Sequence, residues 1–145
     1  MPNTIDIIGD DALIDQIISK TITEIEDDAI LKVGYSAFRG CADLTSVKLT
    51  AATSIERLAF NTCTKLASIN LPAATSIGNN AFGGCYALAS VNLPAVTSIG
   101  MSFPDCAKLT DIYLSAKEGE ISGAPWGATR ATIHYEYDFS QDGGE

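Results

Sequence analysis

Residues 77–98 read Ile77-Gly-Asn-Asn-Ala-Phe82-Gly-Gly-Cys85-Tyr-Ala-Leu88-Ala-Ser-Val91-Asn-Leu93-Pro-Ala-Val-Thr-Ser98. Val91-Asn-Leu93 alternates apolar and polar positions, the period-2 pattern of a strand with one buried face. Leu88 turns inward as the chain enters that strand, and Phe82 and Cys85 precede it, in a turn or a single helical turn. The pattern recurs at Phe38–Leu49, Phe60–Leu71 and Phe103–Leu114, with phenylalanine spacings of 22, 22 and 21 residues. A linker between the cores carries one apolar position of its own, at Val33, Ile55, Ile77 and Ile99. One such unit cannot bury its apolar side alone. Stacked at the strand spacing of about 4.8 Å, the units share a continuous core.

The motif L-x-x-[IV]-x-L at a 22-residue period lies within the leucine-rich-repeat range. The expected fold is therefore a leucine-rich-repeat solenoid. Short strands alternate with turns or single helical turns at a period of 21–22 residues, between an N-terminal helical cap and a C-terminal strand cap. The unit I-G-x-x-A-F-x-x-C-x-x-L-x-S-[IV]-x-L-P-x-x-x-T-S resembles the BspA-type leucine-rich repeats of bacterial surface proteins, over about residues 25–115. Such repeats also occur in phage and prophage products. The resemblance implies a non-enzymatic binding module that presents a repeat surface to a protein or glycan, in an extracellular or virion-associated setting. The alternative it leaves open is a structural component of a phage particle with no dedicated small ligand. Two departures stand out. Pro72 and Pro94 occupy the region where other leucine-rich repeats carry asparagine. Met101-Ser-Phe103 is one residue shorter than Asn79-Asn-Ala-Phe82, which predicts a local distortion in the fourth unit.

A solenoid must close its ends. The single domain 1–145 divides into an N-terminal cap (1–30), a repeat array (31–115), a C-terminal cap (116–139) and a flexible tail (140–145). Leu13, Ile14, Ile17 and Ile18 share one face of an expected helix over 10–20, with Asp10 or Asp11 suited to its N-cap. Ile22-Thr-Glu-Ile25 reads as a strand and Glu24–Ala29 as a degenerate first repeat. Ile133, Tyr135, Tyr137 and Phe139 alternate with His134, Glu136 and Asp138, which predicts a terminal amphipathic strand packed on the fourth repeat. Trp126 is expected to plug the last coil.

Composition excludes several classes. The 145 residues are 46% hydrophobic and 19% charged, too apolar for a disordered chain. No apolar run approaches the roughly 20 residues needed to span a bilayer, so membrane insertion is not expected. The opening MPNTIDIIGDDALIDQ lacks the basic and apolar regions of a secretory signal. The net charge of −9 disfavours nucleic acid. That acidity belongs to the ends: residues 1–30 carry −7 and 116–145 carry −4, while 31–115 carry +2.

Little chemistry can be assembled. Cys41, Cys63, Cys85 and Cys106 follow the repeat period rather than the short spacing of zinc ligands, and read as a buried thiol column. The single histidine, His134, falls in the polar register of the terminal strand, where substitution should change stability by no more than about 0.5 kcal/mol. There is no P-loop, calcium loop or nucleophile–histidine set, and neither a catalytic residue, a metal nor a cofactor is expected. A binding surface, if present, should use the outward strand positions: Lys48, Asn70, Asn92 and Tyr113 in one column, and Asp111 beside Ser46, Ser68 and Ser90 in the next. The turn edge is the competing location, at Arg39/Asn61/Gly83/Pro104 and Asp43/Lys65/Ala87/Lys108. The chain is expected to be a monomer or weak oligomer.

Overall fold

A computed structural model describes residues 7–8 and 22–141. Two parallel sheets run the length of the array. The wider contains β2 (Glu24–Asp27), β4 (Ser46–Leu49), β6 (Ser68–Asn70), β8 (Ser90–Leu93), β10 (Asp111–Leu114) and β11 (Thr132–His134), hydrogen-bonded in that order. The narrower contains two-residue strands: β1 (Ile7–Ile8), β3 (Lys32–Val33), β5 (Ser54–Ile55), β7 (Ser76–Ile77) and β9 (Ser98–Ile99). From β1 to β10 the chain gives a strand to each sheet in turn, and β10 and β11 then follow one another in the wide sheet; every pairing is parallel and joins neighbouring coils. Val47 aligns with Ile69, Ile55 with Ile77, and Val91 with Ile112. The result is a parallel β-solenoid.

The second sheet corrects the reading of the Thr-Ser-[IV] segment as a linker. Its apolar residue points inward and its serine outward, a strand cut to the shortest length that still alternates. At the N-terminal end the strand starts at Glu24 rather than Ile22. Asp27 closes it: its carboxylate accepts the main-chain N–H groups of Ala29 and Ile30, both at 2.7 Å. The helix expected over 10–20 lies outside the described residues, as do the tail residues 142–145.

The third side of each coil, which carries Phe and Cys, is built of turns; among the described residues the only helix is a 3-10 turn at Phe139–Gln141. The reason lies in the backbone. Ser36, Leu58 and Asn80 take left-handed φ values of 56°, 63° and 58°, and Gly40, Thr62, Gly84 and Asp105 form a second left-handed column at 76°, 59°, 73° and 60°. A left-handed residue every few positions breaks a right-handed helix. It also turns alternate N–H groups toward the neighbouring coil. Phe38 N donates to Ala59 O at 2.7 Å, Phe60 N to Ala81 O at 2.8 Å, and Phe82 N to Ser102 O at 2.9 Å. Coil-to-coil hydrogen bonding therefore runs on three sides.

The core repeats with the coils. Phe38, Phe60, Phe82 and Phe103 stack face to face with centroid separations of 5.3, 5.3 and 5.7 Å. Leu44, Leu66, Leu88 and Leu109 form another column, none of it exposed. Each buried side chain of this size contributes about 1.5–3 kcal/mol. The fourth unit absorbs its deletion by dropping one left-handed residue: Ser102 stands where Asn80-Ala81 stands one coil earlier. Its buried hydroxyl lies 2.9 Å from Gly78 O, 3.1 Å from Gly100 O and 3.3 Å from Ile77 O. Beyond β10, Trp126 is buried, donates its indole N–H to Ser122 O at 2.7 Å, and accepts from Phe103 N at 2.9 Å.

Candidate functional site

The wide sheet brings the residues of the outward strand positions into register. Lys48 aligns with Asn70, Asn70 with Asn92, and Asn92 with Tyr113, so these four form one row across four coils. Asp111 sits in the adjacent row, aligned with Ser90. The row continues past both ends of that set. Glu26 aligns with Lys48, and the two form an ion pair at 3.9 Å; His134 aligns with Tyr113. Repeat arithmetic alone carries the signal for both, since Glu26 lies 22 residues before Lys48 and His134 lies 21 after Tyr113.

His134 is more than a surface residue. Its Nε2 lies 2.9 Å from Asp111 Oδ1, and its ring stacks on Tyr113 at 4.3 Å and 13°. The bond to His134, and then the Thr110 hydroxyl at 2.8 Å, hold the Asp111 carboxyl below its ordinary range. The terminal strand is also shorter than its sequence suggests. β11 ends at His134, and Glu136 adopts a left-handed φ of 55°. That turn inverts the side-chain parity. Ile133 and Tyr135 remain packed on the core, but Tyr137 and Phe139 come to the outward face instead of the fourth repeat. Tyr137 packs on Tyr113 at 4.7 Å, and Phe139 meets Tyr137 edge-on at 4.8 Å and 74°. Periodicity gave no signal for this, because it cannot register a change of parity.

Phe139 reaches back over the sheet as far as the asparagines. With Ser68, Asn70, Asn92, Pro72 and Pro94 it borders a cleft of about 270 Å³. Asp111, Tyr113, His134, Tyr137 and Phe139 thus form a connected aromatic and acidic corner at one end of a serine- and asparagine-rich face.

The turn edge holds some contacts within the chain. Asp43 and Lys65 pair at 3.5 Å, Asn61 Nδ2 donates to Asn80 O at 3.2 Å, and a side chain at Gly83 would strike Asn61. The four cysteines are buried thiols with no disulfide. Cys63, Cys85 and Cys106 donate to the carbonyls of Phe38, Phe60 and Phe82 in the preceding coil, at 3.2, 3.3 and 3.0 Å. The neighbouring Cys41 thiol, followed by burial, raises the Cys63 pKa; burial raises that of Cys85 and pushes Cys106 up to about 11. Among the described residues no histidine, cysteine or carboxylate cluster could hold a metal, and no helix is long and apolar enough to cross a membrane.

Parallel coils with in-register ladders and an L-x-x-[IV]-x-L core define a leucine-rich-repeat protein whose outward sheet face is its distinctive surface. The BspA-type leucine-rich-repeat region matches residues 31–125 in six copies, and the chain belongs to that family. A leucine-rich cell surface protein from Faecalibacterium prausnitzii is similar at 27% identity and a TM-score of 0.65, over 83% of this chain and 33% of that one. A leucine-rich-repeat protein from Bacteroides ovatus shares the fold at 23% identity and a TM-score of 0.59, over 93% of this chain and 38% of that one. The chain thus spans about a third of the length of these solved structures. No curated protein matches it significantly.

Proposed function

We propose that the chain is a non-enzymatic binding module of a bacterial surface, and that it engages a protein or glycan partner through the outward face of the wide sheet. The residues assigned to that surface are Lys48, Asn70, Asn92, Asp111 and Tyr113, with His134, Tyr137 and Phe139 added from the structure. One observation carries the reading. The outward face is charged at Glu24, Glu26 and Lys48, small and polar at Ser68, Asn70, Ser90 and Asn92, then gathers three aromatic rings, a histidine and an aspartate at one corner. Half-exposed tyrosines beside a charge are the usual anchors of recognition surfaces. The similarity to a cell surface protein supports the bacterial setting.

The test is an array of extracellular-matrix proteins, mucins and bacterial and host glycans, probed with the labelled chain and with Tyr113→Ala and Lys48→Glu variants of unchanged circular dichroism. Binding to a component that both variants weaken at least tenfold is expected. Binding that neither variant alters would overturn the assignment of the sheet face. Stable multi-copy assembly in native mass spectrometry, with no array binding, would favour a structural role in a phage particle instead.

A further inference from the structure

Building on that reading, we infer that the cleft between Phe139 and the Asn70–Asn92 pair is a subsite for one neutral pyranose ring of a glycan. Ser68, Asn70 and Asn92 form its polar wall, Pro72 and Pro94 its apolar rim, and Phe139 its opposite side. None of these side chains carries a formal charge, and the nearest cation of the row, Lys48, is paired with Glu26. An anionic sugar would find no counter-charge here and would meet a molecule of net charge −9.

The two asparagines do not act as structural amides. Asn61 and Asn79 use their side chains within the fold, the first donating to Asn80 O and the second accepting from Met101 N at 2.8 Å. Asn70 and Asn92 make no such bond with the described residues. They stand in register on neighbouring strands, about 4.8 Å apart. Each amide offers two donors and an acceptor. That set matches sugar hydroxyls, which both donate and accept. Phe139 supplies the apolar face against which the C–H side of a pyranose packs. Its position is fixed by a relay of ring contacts, through Tyr137 and Tyr113 to His134, which Asp111 anchors. Pre-ordering the wall reduces the entropy lost on binding.

Size selects the ligand further. Small-molecule sites run from about 300 to 1,000 Å³. At about 270 Å³ the cleft has room for a single ring. Its polar wall is made of side chains from interior strands of the sheet, not of an open strand edge that could pair with a peptide backbone.

The experiment is saturation-transfer NMR with the methyl glycosides of glucose, galactose, mannose and N-acetylglucosamine at millimolar concentration. A ¹⁵N-labelled chain locates the contact. At least one sugar should receive saturation, with shifts concentrated on the Asn70 and Asn92 side-chain amides and on residues 137–139. Phe139→Ala and Asn92→Ala should each weaken binding about tenfold or more. Tyr86→Ala, at an exposed site outside the cleft, should change nothing. Silence from all four sugars, or transfer that persists unchanged in both cleft variants, overturns the subsite. If the sugars fail while an array partner is still lost on Tyr113→Ala, the binding face stands and the subsite alone falls. Shifts in the cleft with a proline-rich or aromatic peptide but no sugar would likewise reassign it.

Discussion

Leu88 shares a column with Leu66 and Leu109, and all three are fully enclosed. Removing its side chain leaves a void between coils that stacked strands cannot close, so Leu88→Ala should cost about 2–5 kcal/mol in chemical denaturation. The cysteine column answers to a different measurement. Burial and carbonyl acceptors disfavour the thiolate, the reactive form. A thiol reagent applied without denaturant should therefore label the four cysteines slowly, and rapid stoichiometric labelling would show that the column is accessible. Asp111 provides the pH-dependent case. Its folded pKa is lowered by His134 and then by Thr110, so the folded state holds the proton less tightly than the unfolded chain. The stabilisation is complete above the ordinary value of 3.8 and is lost as pH falls through the lower folded value. On acidification below about pH 4 the wild-type melting temperature should therefore fall further than that of Asp111→Asn. Parallel pH curves for the two proteins would show that the His134–Asp111 contact does not form.

The turn elements carry strain that the repeat itself exposes. Thr62 is a β-branched residue at a left-handed φ of 59°, in a column where two other coils place Gly40 and Gly84. Left-handed backbone costs a non-glycine residue about 1–2 kcal/mol, while glycine costs about 0.4–1 kcal/mol through the entropy of the unfolded chain. Thr62→Gly should thus stabilise the protein by about 0.5–1 kcal/mol in urea denaturation, even though it removes the hydroxyl contact to Asn61 O. A loss of stability would mean that the contacts of the Thr62 side chain outweigh the backbone. The same elements mark the boundary of what sequence reveals. The wide sheet, the phenylalanine and cysteine columns and the Lys48–Asn70–Asn92–Tyr113 row follow from a period of 21–22, because each residue is placed by its copy one coil away. The narrow sheet was less legible: two-residue strands leave only one apolar position per coil. Tyr137 and Phe139 were not legible at all. They have no copies, and the left-handed Glu136 reverses an alternation that would otherwise have carried them inward.

For the whole molecule, the decisive problem is the end of the stack. A repeat array gains stability at each interface between neighbouring coils, and its last coil has one interface fewer. After β10, Ile121, Trp126 and Ala128 are buried and β11 pairs with β10 along Asp111–Tyr113, the contacts expected of a segment that covers this coil. Trp126 O also takes the N–H of Phe103, whose counterparts in earlier coils bond to the next coil. Removing residues 121–145 would expose β10 as an open strand edge, together with one face of Phe103 and Leu109. Such an edge invites pairing with a second molecule, and an apolar slice of this kind favours aggregation. The net charge of 31–115 is only +2, so the body of the array has little charge to oppose association, whereas the acidic ends do. A chain ending at Glu120 should therefore elute at higher mass than a monomer in size-exclusion chromatography and melt at lower temperature. A truncated chain that stays monomeric with an unchanged melt would show that the segment is not a cap, leaving the aromatic corner as its reason to be there.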